Sequence, residues 1–94
     1  MEMKDLIAIQ QRCEQATAGP WISYVEGRDF TSGCNFIETS GEDIELSGAS
    51  LADQDFIASC RQDVPLLIDE IMRLRKMLTD NGIDPDNGSI DRRK

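Results

Sequence analysis

The sequence predicts an α+β fold: an N-terminal helix, a three-stranded antiparallel meander, then a short helix and a long C-terminal helix separated by an elbow at the Asp-Val-Pro stretch. Three observations predict it. Apolar residues recur at three- and four-residue spacing at both ends of the chain, β-branched and aromatic residues alternate with polar ones in the middle, and prolines stand at Pro20 and Pro65, where the pattern changes. One domain is expected over residues 1–82, followed by a flexible polar tail over residues 83–94.

The first helix rests on Leu6, Ile9, Cys13 and Ala16, which share one face, with Lys4, Asp5, Gln10, Gln11 and Glu14 on the other. Gly19-Pro20 ends it, since proline has no amide hydrogen and glycine accepts a left-handed exit. From Trp21 the stretches WISYVE, CNFIET and DIEL read as strands, linked by a turn between Gly27 and Gly33 and another at Gly41. Regular alternation would place Trp21, Ser23 and Val25 on one face of the first strand and Ile22, Tyr24 and Glu26 on the other. Trp21 is expected to plug the gap between the first helix and the sheet.

Ser50 and Asp53 form a capping-box pattern that opens a short helix with Phe56, Ile57 and Cys60 pointing the same way. Pro65 disfavours helical geometry at Val64 but is harmless in the first turn of a new helix. The expectation is therefore a break, with Arg61 and Gln62 as the elbow and Asp63 as the new N-cap. Beyond it Val64, Leu67, Ile71, Leu74 and Leu78 follow a heptad seam suited to another helix, with Ile68 and Met72 widening the stripe. Leu67, Ile71, Leu74 and Leu78 are accordingly the expected interface of a homodimer or higher oligomer. Asn81-Gly82 is a stop signal.

Charge narrows the function. Eighteen acidic against ten basic residues leave a net charge of −8, whose averaged field repels nucleic-acid backbones, anionic membranes and free nucleotides, so direct binding to nucleic acid or membrane is not expected. Histidine is absent, which excludes Ser-His-Asp and Cys-His catalysis, and no serine sits in a GxSxG elbow. A non-enzymatic protein without cofactor or metal is expected. Three cysteines, Cys13, Cys34 and Cys60, form no CxxC pair and read as small apolar residues in or near the core of a protein in a reducing compartment. The N-terminal stretch MEMKDLIAIQQ has neither the signature of a signal peptide nor that of a spanning helix. In the tail, DPDNG fails as a calcium loop because Ile83 and Pro85 fall where carboxylates are needed.

Four residues carry a candidate ligand site. Arg61 precedes the expected helix N-terminus and has an anion-binding role open to it, against a structural one in which it pairs with a carboxylate to fix the elbow. Tyr24, Arg28 and Phe30 surround the glycine-bracketed turn, where an aromatic ring and a guanidinium can sandwich a planar ligand or serve as ordinary surface residues.

The stretches ATAGPW and DFIASCRQDVPLLIDEIMRLR together resemble the Ead/Ea22-like family of phage and prophage accessory proteins. The resemblance covers roughly the first quarter of the chain and residues 51–75, and departs from the family at Ala18 and Cys60. It implies an accessory phage product acting stoichiometrically in the host bacterial cytoplasm. The leading expectation is a homo-oligomer that sequesters a small nucleotide-like host immune signal in a cleft between protomers. The alternative is a protein-interaction module that inhibits a host factor, including as an acidic mimic of nucleic acid.

Overall fold

The computed structural model describes residues 1–86 and has the element order α1 (Met3–Gln15), β1 (Ile22–Tyr24), β2 (Phe36–Glu38) and α2 (Leu51–Asp80). Helix α1 is closed at its start by Asp5, whose carboxylate accepts from the backbone N–H of Glu2 at 2.7 Å. Leu6 is fully buried and Ile9, Cys13 and Ala16 are half-buried, the face the spacing requires. The helix stops at Gln15, and the Gly19–Pro20 peptide that follows is cis.

The sheet has two strands, not three. Strands β1 and β2 pair antiparallel with Ser23 opposite Ile37, and DIEL contributes a single bridge, Ile37 to Ile44, with reciprocal bonds of 2.8 and 2.9 Å. One further pair in that register would set Asp43 opposite Glu38, and like charges facing each other destabilise a ladder. In the other direction the next pair would be Phe36 and Glu45, and before Phe36 the carboxamide oxygen of Asn35 accepts from the N–H of Glu26 at 2.8 Å. Strand β1 is short for a related reason. The N–H and C=O of Trp21 are both taken by the side chain of Gln62, and the N–H of Val25 by the carboxylate of Asp29 at 2.8 Å, so only Ile22–Tyr24 remains free to pair.

The expected elbow is absent: α2 runs for 30 residues through Pro65 as one helix, and Asp63 is an exposed mid-helix residue, not an N-cap. A proline inside a helix costs about 3 kcal/mol, chiefly one lost hydrogen bond, here to the carbonyl of Arg61, and a steric clash. Tertiary hydrogen bonds before Pro65 and apolar burial after it offset this cost. Gln62 accepts from the N–H of Trp21 at 2.7 Å and donates to its carbonyl at 3.2 Å, Arg61 Nε donates to the carbonyl of Thr17 at 2.9 Å, and Ile68 is buried one turn on. The start and stop follow the sequence. Ser50 Oγ accepts from the N–H of Asp53 at 3.0 Å, and past Asn81 Gly82 takes φ +79° while the N–H of Ile83 donates to the carbonyl of Leu78 at 2.8 Å.

The inward face of α2 also differs from expectation. Gln54, Ala58 and Ile68 are buried, whereas Phe56 is 70% exposed and Ile57 also faces out. A helix lying close to a two-stranded sheet needs a small residue and a bridging amide at the contact. Gln54 Nε2 donates to Ser23 Oγ at 2.9 Å and to the carbonyls of Tyr24 and Phe36 at 3.1 and 3.2 Å, so it ties the helix to both strands. The core is Leu6, Val25, Ile37, Ala58 and Ile68.

Burying so few apolar side chains leaves an elongated molecule. Its extents are 57 × 28 × 18 Å and its radius of gyration is 17.9 Å, against about 12 Å for a compact domain of this length. The length comes from α2, which at 1.5 Å per residue spans about 45 Å and projects past the sheet and α1. The chain folds back after it: the side chain of Arg75 donates to the carboxylate of Asp86 at 2.7 Å, so the first residues of the expected flexible tail, 83–86, lie against the helix. The rest of that tail, with the rejected calcium motif at Asn87-Gly88, lies outside the described residues.

Candidate functional site

The four residues expected to hold a ligand fall into two neighbourhoods. Arg28 is committed: its Nη1 and Nη2 meet the carboxylate of Asp55 at 2.9 and 3.1 Å, and its Nε donates to Asp29 at 3.0 Å. This clamp joins the β1–β2 loop to the first turns of α2. It shifts the titration of its members. Asp55 is held below its ordinary value of 3.8 by the hydrogen bonds from Arg28 and then Ser23. Asp29 is lowered first by the N–H of Val25 and then by Arg28, and Arg28 is raised by Asp55 and Asp29. Tyr24 and Phe30 pack on Phe36, with ring centroids 5.2 and 5.8 Å apart, so these rings cover one another rather than a ligand. Gly33 supports the cluster, because at φ +136° a Cβ there would lie 3.1 Å from the ring of Phe30.

Arg61 stands elsewhere, against the Thr17–Trp21 segment. The carbonyl of Thr17 accepts from both Arg61 Nε and Trp21 Nε1, each at 2.9 Å, which fixes the guanidinium and the indole side by side. Trp21 is half-buried beside α1 and α2, where its backbone is held by Gln62, and not in the gap between α1 and the sheet that the sequence implied. Cys13 and Cys60 are also half-buried there, whereas Cys34 is exposed, contrary to the expectation for all three.

Two surface features follow. The first is the seam on α2. Leu67, Leu74 and Leu78 are 59%, 45% and 37% exposed, with Ile71 half-buried among them and Cys60 and Val64 half-buried before them on the same helical face. The described fold covers that row only in part: α1 and the sheet pack about a third of a turn away, against Gln54, Ala58, Pro65 and Ile68, α1 borders Cys60 and Val64, and Ile83 lies beside Leu74 and Leu78.

The second is a pair of grooves where α1 meets α2. One, of about 260 Å³, includes Cys13, Arg61 and Pro65 but also Glu14 and Asp69, whose charges disfavour an anion. The other, also about 260 Å³, is lined by Arg12, Cys13, Trp21, Cys60, Arg61 and Val64 together with aliphatic side chains, and by no carboxylate. Cys60 and Val64 belong to this groove and to the seam, so the two features are continuous. Among the described residues no group of three or more metal-binding side chains occurs, and no helix is long and apolar enough to cross a membrane.

Arg12 and Trp21 were not among the expected site residues. A signal for Arg12 exists in the sequence: positions three and four residues to either side are Ala8, Ile9, Gln15 and Ala16, with no carboxylate to pair with on a helix. Arg61 shares that property through Ile57, Ala58, Val64 and Pro65. What joins them to Trp21 is the packing of α1 against α2, which no local pattern reveals. Compared with protein family models, curated proteins and solved structures, the chain matches none.

Proposed function

We propose that this is a non-enzymatic accessory protein of the phage type that acts by stoichiometric binding in the host bacterial cytoplasm, as a homodimer paired through α2. The phage context rests on the ATAGPW and DFIASCRQDVPLLIDEIMRLR stretches, and the mode of action on the surface. The single observation that carries the reading is the exposed row Leu67, Leu74 and Leu78 on a helix that projects beyond its own fold. An apolar seam at heptad spacing is self-complementary, and a second α2 is the simplest cover for it. Pairing there also walls the cleft beside Cys60 and Val64, where a small nucleotide-like host signal would be held out of circulation.

The Arg28, Tyr24 and Phe30 neighbourhood has no part in this binding, since its charge and its rings are used within the chain. Native mass spectrometry of the protein purified from its bacterial host reads both elements of the proposal: a two-chain species carrying added mass that denaturation releases as a small molecule is expected. A one-chain species at all concentrations would contradict it.

A second reading, a protein-interaction module that inhibits a host factor, draws on Leu66. This residue is 65% exposed and about a third of a turn from the seam, so pairing along the seam leaves it uncovered. A leucine on that flank suits a helical or apolar partner surface. Capture of one stoichiometric host protein by the wild type and not by Leu66→Asp would favour this reading over ligand sequestration.

A further inference from the structure

Among the described residues, the distribution of unpaired positive charge singles out one place. Seven lysines and arginines fall within the described residues: Lys4, Arg12, Arg28, Arg61, Arg73, Arg75 and Lys76. Five are paired with carboxylates, Lys4 with Glu2, Arg28 with Asp29 and Asp55, Arg73 with Glu70, Arg75 with Asp86 and Lys76 with Asp80. In a chain with eighteen acidic residues, the two that have no acidic partner among the described residues, Arg12 and Arg61, line the same groove, and the only tryptophan lines it with them.

We infer that the Arg12–Trp21–Arg61 groove binds a nucleoside phosphate, its base against the indole and its phosphate between the two guanidiniums. This deepens the binding-protein reading and rests on its claim of pairing through α2, because Cys60 and Val64 are common to the groove and the seam and a second copy supplies the missing roof. Chemistry selects the ligand class. The indole N–H is already bonded to Thr17, which fixes the ring and leaves its π surface for a flat apolar partner. Among the described residues Arg61 uses only Nε, on that carbonyl, which leaves its terminal nitrogens for a phosphate, and Arg12 makes no side-chain hydrogen bond. The remaining wall is apolar, which favours a phosphate that carries a ring over inorganic phosphate. The overall charge of −8 does not prevent this, since salt screens distant charges beyond about 10 Å while the two arginines act at contact.

Fluorescence of the single tryptophan reads the groove directly. Wild-type protein is titrated with adenosine monophosphate, with adenosine and with inorganic phosphate, and its oligomeric state is measured on the same samples by light scattering. Saturable quenching by adenosine monophosphate is expected, with adenosine and phosphate each at least about tenfold weaker. Arg12→Gln, an exposed change that removes no side-chain hydrogen bond or ion pair among the described residues, should weaken adenosine monophosphate about tenfold, and Arg61→Lys should also weaken it. Arg73→Gln, on a surface pair away from the groove, should match wild type. A folded dimer that shows no saturable response to adenosine monophosphate, or an Arg12→Gln variant that binds it as wild type does, overturns the groove while leaving the pairing intact. A monomer that binds it with loss in Arg12→Gln supports the groove and removes the second copy as its roof.

Discussion

Gln54 is the junction on which α2 and the sheet depend, and replacing it by glutamate tests that with almost no change of shape. Its Nε2 is buried and shares two protons among three acceptors: Ser23 Oγ, the carbonyl of Tyr24 and the carbonyl of Phe36. In Gln54→Glu those protons are lost and a carboxylate faces two carbonyl oxygens. Two hydrogen bonds contribute about 1–3 kcal/mol net, and an uncompensated buried charge brings the total cost to about 3–5 kcal/mol. For a domain of this length that is a large share of about 5–14 kcal/mol of total stability. The sign of the pH dependence follows from burial. The carboxyl should titrate above its unfolded value of about 4.3, so the penalty is small below that value and grows as pH rises toward the folded value. Urea unfolding at about pH 7 and about pH 4 reads this: the variant's midpoint should fall far below wild type at the higher pH and recover much of the gap at the lower one. A midpoint within error of wild type at both values would refute the claim that this amide holds the helix to the strands.

Three further outcomes follow. Because α2 is continuous, Pro65→Ala restores an N–H for the carbonyl of Arg61 and should stabilise the protein by about 1–2 kcal/mol, a rise in melting temperature of about 4–16 °C; a loss of stability would favour an elbow. Asp29 and Asp55 both titrate below 3.8, so the stability they add is complete above that value and is lost as pH falls through their lower folded values. The difference in melting temperature between wild type and Asp55→Asn should therefore stay constant from about pH 7 to 5 and narrow below about 3.8, and a gap unchanged at the lowest pH would contradict the clamp. In the groove, the Arg12→Gln titration of Trp21 fluorescence should separate nucleoside phosphate from its two halves.

How far the sequence revealed the fold depended on how local each cause is. The end signals were legible: Ser50 with Asp53 and Asn81-Gly82 bound α2 where the pattern requires, and Leu6, Ile9, Cys13 and Ala16 mark the inner face of α1. The elbow was not legible because Pro65 argues locally for a break, whereas Gln62 and Arg61 reach 41 and 44 residues back along the chain to hold the helix together. The third strand is reduced to one bridge, and the like-charged pair of Glu38 and Asp43 that its extension would form is not juxtaposed by a strand-by-strand reading. Hydrophobicity misled at Phe56, which suits a core by type, while the polar Gln54 takes the buried position. Of the expected ligand residues Arg61 lies on the groove, but Arg28, Tyr24 and Phe30 are absorbed into the fold. Their partners, Asp55 and Phe36, are recognisable only once the chain is folded.

The central claim is that α2 pairs with a second copy of itself along the row from Cys60 to Leu78. Sedimentation equilibrium of wild type beside Leu67→Asp/Leu74→Asp tests it most directly, since both leucines are exposed and their loss spares the five core residues. The account predicts twice the chain mass for wild type at micromolar concentration and the single-chain mass of 10.5 kDa for the double variant, with helical content retained in both. A wild type that sediments at 10.5 kDa throughout, indistinguishable from the variant, would contradict it.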